Sequence, residues 1–182
     1  MDIQQTEFPG LVIITPRVFS DDRGFFKETF QQERYEQAGI PGPFVQDNHS
    51  RSSAGILRGL HFQIQRPQAK LVFAVEGENL EVCVDLRKNS PTFGKSISVL
   101  LSAENHKQLF VPAGFAHGFY VLSPRADFMY KCTDYYFPEH ERTLLWNDPA
   151  LEIEWPLSDE PILSEKDRKG LPLSECEIFE SL

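Results

Sequence analysis

The feature that most constrains the fold is a series of short apolar or alternating runs, separated by turn-forming residues about every 8–12 positions. Residues 70–76 and 114–122 are typical, because they are rich in Val, Phe and Leu and adjoin Gly or Pro. Runs of this length and spacing favour antiparallel strands. We therefore predict a mainly β protein, an antiparallel sandwich or barrel, with a hairpin turn at Glu76-Gly77-Glu78-Asn79. Similar runs cover residues 11–15, 55–63, 80–86, 96–101, 108–111 and 127–133.

Helix-forming sequence is scarce. Residues 30–38 are the best candidate, because Thr29 can cap the first turn and Gln32 completes a capping box. Gly39 then marks the end of this helix. A shorter helical turn is predicted to begin at Ser164.

The composition excludes several classes of protein. A formal net charge of −9 argues against non-specific binding of nucleic acid, which needs a basic surface. No apolar run approaches the roughly 18 residues of a membrane span, so we expect no membrane partner. The first five residues lack the basic and apolar stretches of a signal peptide. Three scattered cysteines fit neither a disulfide framework nor a zinc knuckle, and they suit a reducing cytoplasm.

The length suits a single domain, and we expect residues 1–182 to form one. Acidic residues concentrate in the final quarter of the chain, which is also rich in Pro from about residue 148. Trp155 and Leu157 in this stretch require burial. The acidic C-terminal segment is therefore predicted to wrap over the barrel in an ordered conformation.

Two of the five histidines lie in informative motifs. His117 ends a Pro-x-Gly-x-x-His sequence, which matches the second signature of the cupin barrels, a class of jelly rolls. The first cupin signature normally supplies His-x-His and a Glu as metal ligands, but here the sequence reads His61-Phe62-Gln63. Because Gln is a poor ligand beside imidazole, we predict a cupin barrel without a metal, in which His61 can act as a general base.

His61 needs a carboxylate to fix its tautomer, and Asp167 is a candidate that the sequence cannot place in space. Arg58 and His61 lie three apart on one strand, so they face opposite ways unless Gly59 forms a bulge. Tyr130 can donate a proton and Lys70 can stabilise an enolate oxygen. Taken singly, each of these residues also fits an ordinary structural role, in the core or on the surface.

Several segments, taken together and in order, resemble the dTDP-4-dehydrorhamnose 3,5-epimerase family. The resemblance runs from about Phe8 to about Asp167. The segments that carry it include Asp22-Arg23-Gly24-Phe25-Phe26, Gln46-Asp47-Asn48-His49-Ser50, Leu57-Arg58-Gly59-Leu60-His61-Phe62-Gln63, Gln68-Ala69-Lys70-Leu71-Val72, Gly114-Phe115-Ala116-His117-Gly118-Phe119, Tyr130-Lys131-Cys132-Thr133-Asp134 and Leu163-Ser164-Glu165-Lys166-Asp167.

The resemblance implies an antiparallel cupin jelly roll with a few short helices. It implies an isomerase that inverts C3 and C5 of dTDP-4-dehydro-6-deoxy-D-glucose through enolates, giving dTDP-4-dehydro-L-rhamnose. It further implies that the reaction needs no metal or cofactor, and that the protein is a homodimer with strands exchanged between its subunits.

The resemblance also implies roles for individual residues. His61 is the base, Asp167 its dyad partner, Tyr130 the acid on the other face, and Lys70 stabilises the charge on the C4 oxygen. The implied substrate-binding residues are Arg23 and Arg58 for the diphosphate, Glu28, Gln46, Asp47 and Asn48 for the nucleotide, Tyr136 for the thymine, and His117, Glu141 and Lys166 for further contacts.

The chain departs from the usual family pattern at three positions. Phe73, Asn79 and Glu81 stand where the family usually has Arg, an aliphatic residue and Asp, and the strand pattern places them near the barrel centre. These departures leave open an enzyme that epimerises only C3 or only C5. A metal-dependent cupin is disfavoured by Gln63, and a non-catalytic sugar-nucleotide-binding module by the presence of a complete acid–base set.

Overall fold

The computed structural model describes all 182 residues and consists mainly of β-strands with two short α-helices. None of its helices is long and apolar enough to cross a membrane. In chain order the elements are β1 (Asp2–Gln5), β2 (Val12–Thr15), β3 (Val18–Asp21), β4 (Gly24–Lys27), α1 (Gln32–Gln37), β5 (Gln46–Ser53), β6 (Leu57–Gln63), β7 (Lys70–Glu76), β8 (Glu78–Asp85), β9 (Ser96–Ser102), β10 (Gln108–Val111), β11 (Phe115–Val121), β12 (Arg125–Cys132), β13 (Glu141–Thr143) and α2 (Glu165–Arg168).

Eleven of the thirteen strands form two antiparallel sheets, which confirms the predicted mainly β jelly-roll class. One sheet has six strands in the order β1-β2-β10-β7-β12-β5, and the other has five in the order β13-β6-β11-β8-β9. Side chains from both sheets meet in one apolar cluster, to which Val72 and Phe128 contribute from the six-stranded sheet and Phe119 from the other. β3 and β4 pair only with each other.

Three residues depart from the family pattern, and the alternation of side chains along each strand decides which of them face the barrel interior. On β7, Val72 and Ala74 belong to the inter-sheet core, so Phe73 faces the other way. The expectation that Phe73 lies near the barrel centre is therefore wrong. Asn79 and Glu81 on β8 are fully buried, and Glu81 contacts His117 across the sheet.

The turn between β7 and β8 also differs from its prediction. It is tight, but it is not a hairpin, because β7 pairs with β10 and β12 whereas β8 pairs with β9 and β11. The chain passes here from one sheet to the other. Gly77 permits the corner, since its φ is +71° and an added Cβ would lie 2.1 Å from the Arg125 carbonyl oxygen.

The helices begin and end near the predicted positions. The cap of α1 is Gln31, whose side chain accepts a hydrogen bond from the Arg34 amide at 2.7 Å, so the predicted Thr29 cap is wrong. Thr29 instead offers its carbonyl oxygen to the Tyr35 hydroxyl, 3.0 Å away. Ser164 caps α2 as predicted, by accepting from the Asp167 amide at 3.1 Å.

The C-terminal segment packs along the five-stranded sheet. Ile162 and Leu171 form isolated bridges with residues of the preceding chain, and Leu151 and Phe179 are buried in a second apolar cluster. This course places α2 beside β6. The assignment of the whole chain to one domain stays a prediction.

Candidate active site

A cavity of about 390 Å³ lies between the two sheets and gathers most of the predicted site residues. Its walls come from strands of both sheets and from the C-terminal segment. The predicted residues that line it are Gln46, Asn48, Arg58, His61, Lys70, His117, Tyr130, Tyr136, Glu141 and Lys166.

His61 and Asp167 form a close pair at one wall of this cavity. Asp167 Oδ1 lies 2.5 Å from His61 Nε2, and the Asp167 side chain is only 3% exposed. Its other oxygen accepts from the Ser164 hydroxyl at 2.7 Å, and the Gly59 amide donates to Oδ1 at 3.4 Å. Burial alone would raise the pKa of Asp167, but the hydrogen bonds from His61, Ser164 and Gly59 outweigh it and lower this pKa.

The ionised state of Asp167 determines what His61 can do. A carboxylate only accepts hydrogen bonds, so His61 Nε2 carries the ring hydrogen and Nδ1 has the free lone pair. The ring lines the cavity. His61 therefore has the arrangement of a general base whose imidazolium form is stabilised by a buried carboxylate.

A bulge in β6 brings Arg58 to the same cavity as His61. Between these two residues β6 contains one more residue than β11 opposite it. Gly59 has φ of +122°, and a Cβ added there would lie 2.7 Å from Gly118 Cα. The bulge that the sequence left conditional is therefore present, and both side chains line the cavity.

Tyr130 and Lys70 belong to the sheet opposite His61. They lie on adjacent strands, β12 and β7, of the six-stranded sheet. Burial, with smaller contributions from Cys132 and Glu141, raises the pKa of Tyr130 to about 12, so the phenol is protonated at neutral pH. Burial lowers the pKa of Lys70. A substrate between the sheets has a base on one side and a proton donor on the other.

Tyr136 lies at the rim of the cavity and is held there by its neighbours. Its hydroxyl donates to Glu141 at 2.9 Å, and Glu141 also pairs with Lys166 at 2.9 Å. Its backbone amide donates to the Gln46 side chain at 3.1 Å. The exposed aromatic ring is available for stacking on a planar ligand.

Gln63 has a positioning role that the sequence did not indicate. Its amide group donates to the Arg66 carbonyl at 2.6 Å and accepts from the Phe137 amide at 2.8 Å. Gln63 therefore fixes the segment that carries Tyr136. No sequence signal predicts the bond to Phe137, because it joins the strand to backbone 74 positions away.

Four predicted site residues do not line the cavity within one chain: Asp167 contacts His61 from outside the lining, and the other three pair with neighbours elsewhere. Arg23 pairs with Asp21, Glu28 with Arg34 at 2.8 Å, and Asp47 with Lys131 at 2.9 Å. Their roles stay predictions.

A second carboxyl–imidazole pair lies beside the first. Glu81 Oε1 is 2.6 Å from His117 Nδ1, and His117 stands directly opposite His61 in the pairing of β11 with β6. Burial raises the pKa of Glu81 well above its ordinary value and lowers that of His117 well below its own. Sequence reasoning marked Glu81 only as a departure from a pattern.

Comparison with known proteins places this geometry in a family. The model of the dTDP-4-dehydrorhamnose 3,5-epimerase family matches residues 5–175. The dTDP-4-dehydrorhamnose 3,5-epimerase of Pseudomonas aeruginosa is 55% identical over 180 residues, which cover 98% of this chain and 99% of that protein.

Solved structures agree with the sequence comparison. The dTDP-6-deoxy-D-glucose-3,5-epimerase of Legionella pneumophila, in complex with dTDP-4-keto-L-rhamnose, superposes with a TM-score of 0.96 at 50% identity, covering 100% of this chain and 98% of that one. A 3′-monoepimerase of Streptomyces bikiniensis, in complex with dTDP-quinovose, superposes with a TM-score of 0.88 at 36% identity, covering 93% and 86%. The chain therefore belongs to the dTDP-4-dehydrorhamnose 3,5-epimerase family.

Proposed function

We propose that this protein is an isomerase that converts dTDP-4-dehydro-6-deoxy-D-glucose into dTDP-4-dehydro-L-rhamnose by inverting C3 and C5. The observation that carries the proposal is the pairing of His61 with ionised Asp167 on one wall of a cavity whose opposite wall holds protonated Tyr130. Inversion at carbon requires removal of a proton from one face and delivery of a proton to the other.

Each inversion proceeds through an enolate. The C4 ketone acidifies the neighbouring C–H bonds, and His61 Nδ1 takes the proton while the electron pair moves to the C4 oxygen. Asp167 stabilises the resulting imidazolium, and Lys70 stabilises the enolate oxygen. The Tyr130 hydroxyl then gives its proton to the opposite face as the new C–H bond forms. Solvent returns a proton to Tyr130 and removes one from His61, which restores both groups.

The chemistry proposed here needs no metal or cofactor. Proton transfer next to a ketone requires only the base, the acid and the oxyanion partner named above. The Gln63 amide, at the position where metal-binding cupins have a ligand, is engaged by backbone groups. We expect protein treated with a chelator and dialysed to keep its activity, whereas loss of activity with a stoichiometric transition metal would indicate a metal-dependent cupin.

Arg58 and Tyr136 are proposed to hold the diphosphate and the thymine. Gln46, Asn48, His117, Glu141 and Lys166 line the same cavity and supply further polar contacts.

We further propose a cytoplasmic homodimer in which Arg23 and Glu28 serve the partner's cavity. Both residues lie outside the cavity of their own chain, and the β3–β4 hairpin that carries Arg23 exposes Phe25 and Phe26. An exposed apolar surface of this kind favours a protein contact. The three unpaired cysteines support a reducing compartment.

A mixing experiment tests the shared site. Refolding His61→Ala chains together with Arg23→Ala chains gives mixed dimers in which one cavity has both an intact His61 and an intact Arg23. We expect these mixtures to be more active than either variant alone. No gain would place Arg23 outside the partner's site.

The proposed reaction is tested by incubating the protein with dTDP-4-dehydro-6-deoxy-D-glucose in D₂O and following the product by NMR. We expect deuterium at both C3 and C5. Deuterium at one position would identify a C3-only or C5-only enzyme, the alternative that the S. bikiniensis relative and the interior position of Glu81 keep open. Binding without deuterium at either position would indicate a non-catalytic sugar-nucleotide-binding protein.

A further inference from the structure

The buried pair of Glu81 and His117 has no part in the proton transfers described above. Glu81 is fully buried and its Oε2 has no hydrogen-bond partner. His117 lines the cavity, and its Nε2 makes no hydrogen bond within the protein. The pair thus extends from the fully buried Glu81 to the cavity where the substrate is proposed to bind.

The surroundings of Glu81 decide where its proton lies. A buried carboxylate normally needs several donors, as Asp167 has, but Glu81 has one neighbour on Oε1 and none on Oε2. The charge of Lys70 favours the ionised form, yet burial dominates and keeps the pKa of Glu81 well above its ordinary value. Glu81 is therefore a neutral acid.

A neutral Glu81 fixes the tautomer of His117. Its O–H donates to His117 Nδ1 across 2.6 Å, so Nδ1 is the acceptor and the ring hydrogen sits on Nε2. His117 itself stays neutral, because burial and the charge of Lys70 lower its pKa. The group that His117 presents to the cavity is consequently a neutral N–H donor.

We propose that Glu81 is a positioning residue that holds His117 as a neutral Nε2–H donor to the enolate oxygen of the substrate. The inference rests on the enolate chemistry of the proposed function. A donor fixed before the reaction stabilises developing negative charge without reorganisation. Were His117 to turn a lone pair toward that oxygen, it would repel the enolate, so Glu81 acts by excluding the wrong tautomer.

Glu81→Gln and Glu81→Leu separate this role from simple packing. The Gln amide can donate to Nδ1, so most of kcat is retained. Leu fills the space without a donor, and we expect kcat to fall roughly 10- to 100-fold with little change in KM, because the lost interaction forms mainly with the enolate. Asn79→Leu is the matched control, since Asn79 is equally buried on the same strand and its amide has no partner. It should leave kcat unchanged.

The tautomer is read directly from the ¹⁵N shifts of the imidazole rings in ligand-free protein. We expect His117 to carry hydrogen on Nε2 and to accept at Nδ1 in the wild type and in Glu81→Gln, and to lose this single tautomer in Glu81→Leu. A wild-type His117 with hydrogen on Nδ1, or on both nitrogens, would overturn the inference, even if Glu81→Leu fails to fold. Unchanged kcat in a folded Glu81→Leu variant would also overturn it. Failure of the proposed function appears separately, as wild-type protein that does not turn over the substrate.

Discussion

Two imidazole–carboxyl pairs face one cavity from adjacent strands, and they differ in the surroundings of the carboxyl group. Asp167 receives hydrogen bonds from His61, Ser164 and Gly59, whereas the only hydrogen-bond partner of Glu81 is His117. The first carboxyl has a lowered pKa and the second a raised one, although both are almost completely buried. Burial favours the neutral form of both carboxyls, and the hydrogen bonds to Asp167 offset this cost whereas the surroundings of Glu81 do not.

The charge of each carboxyl group also determines whether its histidine presents a lone pair or an N–H group to the substrate. His61 bonds its carboxyl through Nε2 and keeps the lone pair of Nδ1, which suits a base. His117 bonds its carboxyl through Nδ1 and keeps the hydrogen of Nε2, which suits a donor. Both histidines carry their hydrogen on Nε2, but opposite ring nitrogens face the cavity, so His61 acts as a base and His117 as a hydrogen-bond donor.

Removing the charge from the first pair has the largest expected effect among these tests. Asp167→Asn keeps the shape of the side chain but cannot stabilise the imidazolium of His61. We expect kcat to fall by about 10³- to 10⁴-fold, as for other histidine bases that lose their carboxylate. Steady-state measurement of product formation checks this. If kcat fell as little in Asp167→Asn as in Glu81→Gln, the charge of Asp167 would not matter for catalysis and the two pairs would not differ in the charge of their carboxyl groups.

Tyr130→Phe removes the proposed acid from the opposite wall and so separates proton removal by His61 from proton delivery by Tyr130. His61 can still take a proton, exchange it with solvent and return deuterium to the same face. We expect exchange in D₂O to continue while net inversion slows roughly 10²-fold, the lower end of the range for a general acid. NMR separates the two quantities in one sample. Equal loss of exchange and inversion would place Tyr130 in the removal step.

The pH dependence of stability gives the smallest effects, with opposite signs for the two carboxyls. Asp167 has a folded pKa below its ordinary 3.8, so its contribution is present above about pH 4 and is lost as the pH falls through that lowered pKa. Glu81 has a folded pKa above its ordinary 4.5, so stability falls as the pH rises above that value.

Urea titrations between pH 3 and 7 distinguish these contributions. Asp167→Asn should destabilise the protein more at the upper end of the range than at the lower end. Glu81→Gln should become more favourable relative to the wild type as the pH rises. Parallel profiles for the two variants would contradict the assignment of charge to one carboxyl and not to the other.

The sequence predicted the strands well where they contain an apolar run and poorly elsewhere. The apolar runs in β7, β8 and β11 were sufficient, whereas β5 contains no apolar side chain and was missed. The predicted hairpin after β7 failed for a different reason. Turn residues indicate a tight turn, but they do not show whether the next strand continues in the same sheet.

The sequence predicts site contacts between residues that are close along the chain better than contacts between residues that are far apart. Arg58, Gly59 and His61 are close in sequence, so the sequence could show that a bulge at Gly59 would bring Arg58 and His61 to one cavity, but it could not show that the bulge forms. Asp167 lies 106 positions from His61, and only the course of the C-terminal segment brings them together. The partnership of Glu81 with His117 depends on the register of β8 and β11, which alternation alone does not fix.

The central claim is that His61 is the single base for both carbons. His61→Ala, incubated with dTDP-4-dehydro-6-deoxy-D-glucose in D₂O, tests it most directly. We predict that deuterium incorporation at C3 and at C5 falls together to the level without enzyme. Continued incorporation at either carbon in the folded variant would show that a second base exists and would contradict the account.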